Sequence, residues 1–332
     1  MIMNKPNIFQ IATKELSQDG FFTWLLQWAD SSNQQFNTEL HECAKNFVRF
    51  LISKQIELPD NFAINKVSAG RQWKDIDIWA EINDDILIVI EDKTYTKQHS
   101  KQLERYKKIA QDYCDKKKYQ LVCVYLKIGS ESKSSLNDVT KKGYAVVDRH
   151  GLLDFFSQYQ IKNDIFTDFV DKINSLDESE KSYETLPIGR WKNQDSWSGF
   201  YQFLDDNLDV NSWEYVANPA GGFLGLWWHF EEWEGYYVYL QIEQGNLCLK
   251  IGDVAENHSE VRQKWYSVVM NQAKQERKKE IQKPQRFGSG TYMTVAIVER
   301  KDWLGADNDM LDKEKVIERL KEYERFLDKC LK

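Results

Sequence analysis

The chain has little of what marks several protein classes. Its five cysteines are scattered without a CxxC pair, which argues against a disulfide framework and a cysteine-bound zinc site. No HExxH motif is present, which argues against a zinc hydrolase site carried on a helix. Five prolines and 16 glycines are too few for a collagenous or low-complexity chain. No apolar run reaches the ~18 residues of a membrane helix, and the N-terminus lacks a signal-peptide pattern. We therefore expect a cytoplasmic protein with no membrane partner.

The charge is distributed unevenly along the 332 residues. A net charge of −7 taken alone disfavours a nucleic-acid partner. Residues 1–92 hold eight basic and 14 acidic residues, whereas residues 93–118 hold nine basic and three acidic ones. A basic run is usually a solvated helix face. This one begins where the acidic motif described below ends, which favours a phosphate-binding surface.

The hydrophobic pattern of the first half predicts an α/β sandwich around a mixed central sheet. Helices are expected at 16–29, 39–54, 97–113 and, in two pieces, 151–175. Strands are expected at 62–67, 75–79, 86–90, 119–126 and 144–148. The turn residues 83–85 predict that the strands on either side pair antiparallel. Residues 129–142 are polar and predict a mobile loop.

The second half differs in composition. Residues 177–195 are polar with little periodicity, so we predict a boundary there between a domain at 1–176 and a domain at 190–332. Eight of the 12 tryptophans lie from Trp191 onward. Helices are expected at 197–208, 258–282 and 309–331. Strands are expected at 223–233, 236–243, 246–251 and 291–298. The pattern indicates a smaller α+β domain with an antiparallel meander.

The most informative residues are Asp75, Asp77, Glu91 and Lys93. Alternation along a strand places Glu91 and Lys93 on one face, and the preceding strand is expected to carry Asp75 and Asp77 on one face. Converging carboxylates suit a hard divalent cation. A lysine beside them could orient or deprotonate water, or stabilise developing charge. Which of the two aspartates is the ligand stays open, with Asp77 favoured.

This order of motifs resembles the PD-(D/E)xK nuclease superfamily, in which an acid on one strand precedes (D/E)-x-K at the end of the next. Glu15 resembles the extra acid that the superfamily often supplies from its first helix. Gln102 and Tyr106 resemble the QxxxY motif of the RecB-like branch. The resemblance covers roughly residues 10–150 and implies a restriction-endonuclease-like core. Ile76 stands where the superfamily usually has proline.

The resemblance also implies roles for individual residues. Mg²⁺, with Mn²⁺ as a substitute, would be held by Glu15, Asp77, Glu91 and the backbone carbonyl of Asp92. Lys93 would activate water, while Gln102 and Tyr106 would position the lysine or contact phosphate. The basic helix would neutralise phosphates through Lys97, Lys101, Arg105, Lys107 and Lys108.

The favoured function is therefore a metal-dependent DNA endonuclease. One alternative is a catalytically silent module that binds nucleic acid or protein. Another is an RNA or modified-base nuclease in which the aromatic domain recognises the substrate. The alternative interpretation of Asp77, Glu91 and Lys93 is a salt-bridged strand end with a purely structural role. The apolar C-terminal helix is also compatible with a homodimer.

Overall fold

The fold is described from a computed structural model covering residues 5–59, 61–98, 101–191, 194–218 and 221–332. The chain divides into two compact units. One comprises Met1–Glu131 and Ser135–Asp177, and the other comprises Ser132–Ser134 and Glu178–Lys332. Within the described ranges, none of the helices combines the length and apolar character needed to cross a bilayer.

The chain up to Thr185 builds the first sheet and its helices. In chain order, the elements are α1 (Ile8–Ile11), α2 (Glu15–Trp28), α3 (Thr38–Ile52), β1 (Val67–Trp73), β2 (Ile76–Ile82), β3 (Ile86–Lys93), α4 (Gln102–Lys117), β4 (Gln120–Lys127), α5 (Lys133–Lys141), β5 (Ala145–Asp148), α6 (Arg149–Phe156) and α7 (Asp164–Thr185). The strand order is β1-β2-β3-β4-β5. The first three strands pair antiparallel and the last three parallel, so the predicted mixed sheet is confirmed.

β3 is central because its residues are apolar on both faces. Ile86, Ile88 and Ile90 join the core formed with α2 and α3, while Leu87 and Val89 join the core formed with α4. A strand buried on both faces places its last residues inside the protein as well. Because β3 and β4 run parallel, their carboxyl ends meet at one edge of the sheet. That edge carries the acidic motif.

Three predictions in this half were wrong. Residues 62–66 form no strand; there the side chain of Asn83 accepts hydrogen bonds from the amides of Asn65 and Lys66. Residues 129–142, expected to be a loop, contain α5, whose one buried residue, Val139, gives a weak apolar signal. The helix expected from 97 begins at Gln102; residues 99 and 100 of that prediction lie outside the described residues.

The rest of the chain forms an antiparallel sheet with helices. Its elements are α8 (Gln194–Asn207), β6 (Val210–Val216), β7 (Phe223–Trp233), β8 (Tyr236–Glu243), β9 (Asn246–Gly252), α9 (His258–Gln275), β10 (Ile281–Gln282), β11 (Met293–Val298), α10 (Arg300–Trp303) and α11 (Lys313–Cys330). The strand order is β10-β11-β9-β8-β7-β6, which confirms the meander β7-β8-β9.

The differences from the expected pattern have local causes. Residues 177–185, the first part of the polar stretch expected at the domain boundary, form the end of α7. β6 escaped prediction because a register shift between Val210 and Ser212 breaks its alternation. The long helix expected at 258–282 ends at Gln275.

Candidate active site

The ends of β2 and β3 place four charged residues together. Asp77 lies at the start of β2, and Glu91, Asp92 and Lys93 end β3. The last three are buried, with at most 6% of their surface exposed. Strand alternation directs Glu91 and Lys93 to the face that carries α4, which we call the α4 face, and Asp92 to the face that carries α2, which we call the α2 face.

On the α4 face, three oxygens converge on the ammonium of Lys93. Its Nζ lies 2.5 Å from Glu91 Oε1 and 3.5 Å from Asp77 Oδ2, and it donates a hydrogen bond to the carbonyl oxygen of Asp92 at 3.0 Å. The Asp92 amide donates to Asp77 Oδ2 at 3.2 Å, which fixes Asp77 against β3. Two strands therefore supply oxygens around a single cation.

The first turns of α4 complete this face. Gln102 Nε2 donates to Glu91 Oε1 at 2.8 Å and lies 3.2 Å from the hydroxyl oxygen of Tyr106. The guanidinium of Arg105 lies over the Tyr106 ring, 4.9 Å from its centre. Glu91 Oε1 thus has two donors, whereas the buried Glu91 Oε2 has no hydrogen-bond partner among the described residues. A buried carboxylate oxygen in that state suits a cation ligand.

Burial and neighbouring charge shift the pKa values of this pair. Burial, reinforced by the charge of Asp77, raises the pKa of Glu91 to about 7. Burial alone would lower the pKa of Lys93, but the carboxylates of Glu91 and Asp77 outweigh it and raise that pKa above its usual range. Lys93 is therefore an ammonium at neutral pH and donates hydrogen bonds rather than accepting a proton.

The α2 face holds a second pair of acids. The Gln18 amide donates to Asp92 Oδ1. Asp19, which is 3% exposed, lies beside Asp92. Burial, followed by the charge of Asp77, raises the pKa of Asp19 to about 6, and burial with the charge of Asp19 raises that of Asp92 well above its usual range. Asp19 Oδ1 and Asp92 Oδ2 have no hydrogen-bond partner among the described residues.

Asp19 is a further candidate site residue, which the sequence motifs did not identify. It lies four residues after Glu15 on α2, so both acids share one face of the helix. The signal in the sequence is an acid placed just before the aromatic run of α2, which begins at Phe21. Glu15 itself contacts the segment after β3: its Oε1 accepts from the amide of Thr94 at 2.9 Å and from the hydroxyl of Thr96 at 3.0 Å.

Asp75 and Asp77, the two candidate ligands near the start of β2, lie in different surroundings. Asp75 lies with Lys74 in the turn between β1 and β2, where both residues have positive φ. Its side chain is 74% exposed and lies 3.6 Å from Arg105. The expectation that both aspartates share a strand face was wrong, because β2 begins only at Ile76. The structure places Asp77, not Asp75, beside Glu91 and Lys93.

The predicted phosphate-binding side chains differ in their exposure to solvent. Lys97, Lys101, Arg105 and Lys108 are exposed. Lys101, Arg105 and Lys108 recur at helical spacing and form one exposed stripe, which we call the basic stripe. Lys107 is half-buried, and its ammonium donates to the carbonyl oxygen of Lys142 at 3.4 Å. Lys107 therefore contributes to the fold and is not part of the basic stripe.

A different group of metal-ligating side chains lies in the second unit. Ligand atoms of His229, Glu231 and Asp328 lie within 4.8 Å of one another, and His229 Nε2 is 2.8 Å from Asp328 Oδ1. A register shift of β7 between Trp228 and Glu231 accompanies it. The His229–Asp328 contact ties β7 to α11, which is sufficient to explain the group.

Comparison with known proteins bears on the first unit. A family model described as the PD-(D/E)XK nuclease superfamily matches residues 6–183. No curated protein and no solved structure matched the chain significantly. The match is to the superfamily as a whole, so assignment to the RecB-like branch stays an interpretation of Gln102 and Tyr106. Because the match covers more than half of the sequence and includes both strand ends around Lys93, the chain belongs to the PD-(D/E)XK nuclease superfamily.

Proposed function

We propose that the chain is a metal-dependent endonuclease that hydrolyses phosphodiester bonds in DNA. The observation that carries the proposal is the convergence of oxygens from Asp77, Glu91 and Asp92 on the Lys93 ammonium, within a chain of nuclease ancestry. The structural alternative, a salt-bridged strand end without catalysis, does not account for the buried and unpartnered Glu91 Oε2. A purely structural pair would be expected to use both carboxylate oxygens.

The donor set suits a hard divalent cation such as Mg²⁺, for which Mn²⁺ could substitute. Mg²⁺ is commonly bound by one or two carboxylates and keeps several waters. Asp77, Glu91 and the carbonyl of Asp92 would hold it. When bound, the cation would polarise a phosphate oxygen and neutralise developing charge. Glu15 adds negative charge near Lys93, which favours a cation at this edge.

The protein's own groups would do the remaining work. Because Lys93 is protonated, it would orient the attacking water or stabilise charge on the phosphate, rather than remove a proton. Gln102 would hold Glu91 Oε1 in place, so that the other oxygen stays directed at the cation. Tyr106 would keep the Gln102 amide oriented.

The substrate assignment rests on the basic stripe. It begins at the N-terminus of α4, next to Gln102, so a phosphate backbone lying along it would pass the candidate site. Lysine and arginine contacts of this kind are independent of sequence and weaken with salt. With a net charge of −7, the chain should bind DNA weakly and with strong salt dependence.

We also propose a division of labour between the domains at 1–176 and 190–332. Asp77, Glu91, Lys93 and Gln102 all lie in the first, so the second would govern substrate choice. Because α7 extends to Thr185, the fragment to test is 1–185 rather than a shorter one. It should retain cation-dependent nicking. A folded, cation-binding fragment without activity would show that the second domain completes the site.

The decisive experiment incubates the pure chain with supercoiled plasmid or with structured RNA, in Mg²⁺, Mn²⁺ or EDTA. We expect nicked and then linear plasmid with either cation and none with EDTA. Lys93→Met is the control against a contaminating nuclease. Retained DNA binding without cleavage would support the silent module instead, and faster cleavage of RNA would support the RNA nuclease.

A further inference from the structure

A second lysine lies beside the candidate site, one strand away from Lys93. Lys127 ends β4 and pairs in register with Lys93 at the end of β3. In a parallel pair, side chains in register project from the same face, roughly 5 Å apart. Lys127 is 2% exposed. Burying an ammonium is unfavourable unless it is paired and hydrogen-bonded, so the contacts of Lys127 require an explanation.

Those contacts form a buried network. Lys127 Nζ lies 3.2 Å from Glu131 Oε2 and donates to the carbonyl oxygen of Thr96 at 2.5 Å. Glu131 is also buried, and it accepts from the hydroxyls of Tyr125 at 2.9 Å and Ser135 at 2.5 Å. Burial lowers the pKa of Lys127, although Glu131 acts in the opposite direction. Both carboxylate oxygens of Glu131 are used, in contrast to those of Glu91.

The network leads directly to the site. The same Thr96 whose carbonyl meets Lys127 donates its hydroxyl to Glu15 Oε1, and the Thr94 amide donates to that oxygen too. The backbone after β4 packs on the same segment: the Ile128 amide donates to the carbonyl of Lys93 at 3.2 Å. A Cβ at Gly129 would overlap the Thr94 carbonyl oxygen, so this close approach requires glycine.

We propose that Lys127 and Glu131 are a positioning pair, which holds the segment Thr94–Thr96 so that Lys93 and Glu15 keep their geometry at the site. This inference rests on the proposed nuclease function. Replacing a buried ion pair by uncharged groups is often neutral for stability, so such a pair is weak evidence of a stabilising role. A displacement of about 1 Å in reacting groups can lower a rate by ~10²-fold, so fixing this segment affects activity directly.

The main test is the double variant Lys127→Met with Glu131→Gln in the full chain. The matched control is Lys66→Met with Asp84→Asn, which removes an exposed 2.8 Å ion pair between the residue before β1 and the turn that joins β2 to β3. In the test variant, kcat for Mg²⁺-dependent plasmid cleavage should fall by about tenfold or more, with KM within about twofold. Hydrogen exchange of a peptide covering 93–98 should accelerate, while that of 86–90 stays slow. The control should change neither.

Thr96 provides a variant that does not disturb the core, because its side chain is exposed. Thr96→Val removes the hydroxyl bond to Glu15 and should lower kcat several-fold, and Thr96→Ser should restore it. The positioning role is wrong if the double variant folds with kcat and exchange of 93–98 unchanged, or if Thr96→Val cleaves like wild type. If wild type cleaves neither plasmid nor RNA, the nuclease proposal fails, and the exchange measurement alone decides whether the pair holds the segment.

Discussion

The two faces of β3 accommodate buried acids in different ways. On the α4 face, Glu91 and Asp77 lie around the Lys93 ammonium. On the α2 face, Asp92 meets Asp19 and the amide of Gln18, and the pKa values of both acids are raised. Carboxyl pKa values are raised on both faces, but only the acids of the α4 face have an ammonium among them, whereas those of the α2 face have a neutral amide.

The difference indicates which face is suited to a divalent cation. The oxygens on the α4 face already converge on one cation, so their arrangement suits another. Acids with a raised pKa, Glu91 included, must lose a proton before they bind a metal, and on the α2 face both Asp19 and Asp92 would have to do so. We therefore expect the α4 face to hold the cation. The acids of the α2 face, on the other side of the sheet, would act on it only through their charge.

The largest effects are expected for Asp77→Asn and Glu91→Gln. Each keeps the shape of the side chain but removes a negative charge from a site of hard oxygens. Mn²⁺ binding by calorimetry should weaken strongly, and plasmid cleavage should be lost. Without metal, the melting temperature should be equal or higher, because repulsion between clustered carboxylates is relieved. Normal Mn²⁺ binding by both variants would contradict the assignment.

Lys93→Met should reduce cleavage by ~10²-fold or more while leaving Mn²⁺ binding intact. Removing the ammonium takes a competing cation away from Glu91 and Asp77, so Mn²⁺ should bind at least as tightly as in wild type. The matched control is Lys66→Met, an exposed lysine in the same unit. Cleavage within a few-fold of wild type would remove Lys93 from the mechanism.

Asp19→Asn tests the α2 face. We expect Mn²⁺ affinity and cleavage to fall by less than about tenfold, because Asp19 acts on the site through its charge on Asp77. Metal-free stability to urea should rise by about 1 kcal/mol, since one of two facing buried carboxyls becomes an amide. Glu39→Gln, on the exposed first turn of α3, is the control. Loss of Mn²⁺ binding as complete as in Asp77→Asn would instead place the cation on the α2 face.

The raised pKa values also predict a pH dependence. The pKa of Glu91 is raised from 4.5 to about 7, so between these values the folded chain binds a proton that the unfolded chain has lost. This group therefore makes metal-free stability fall as pH rises from 4.5 to 7. Mn²⁺ affinity should rise over the upper part of the same window, by at most about tenfold per pH unit. Glu91→Gln should make both profiles shallower and leave the slope that Asp19 and Asp92 contribute, and unchanged profiles in that variant would assign them to other groups.

The sequence allowed the strand ends to be predicted, because their signals are local. The apolar run before Glu91 marks a buried strand, and alternation then fixes the common face of Glu91 and Lys93. The turn at 83–85 fixes the antiparallel partner that carries Asp77. These inferences need only neighbours along the chain, which explains why the mixed sheet and this part of the candidate site were predicted.

Asp19 and the Lys127–Glu131 pair could not be predicted in this way. Asp19 approaches Asp92 through packing of α2 on the sheet, and Lys127 approaches Lys93 through parallel pairing of β4. Neither contact has a sequence spacing of its own. Asp75 was misplaced for a related reason: alternation extrapolated one residue beyond the start of β2, into a turn that the pattern of apolar residues does not reveal.

The smallest effect is expected for Asp75→Gly. Lys74 and Asp75 have φ of 52° and 70° and connect Trp73 to Ile76, a two-residue turn of the kind in which glycine is favoured. The change relieves a left-handed conformation that costs an ordinary residue roughly 1–2 kcal/mol, and aspartate less. It also removes an exposed ion pair with Arg105, which contributes little. Urea unfolding should show a gain of at most about 1 kcal/mol, and plasmid cleavage should stay within twofold. If Asp75→Gly abolished cleavage while Asp77→Asn remained active, the ligand on this hairpin would be Asp75, and the contacts of Asp77 with β3 would serve only the fold.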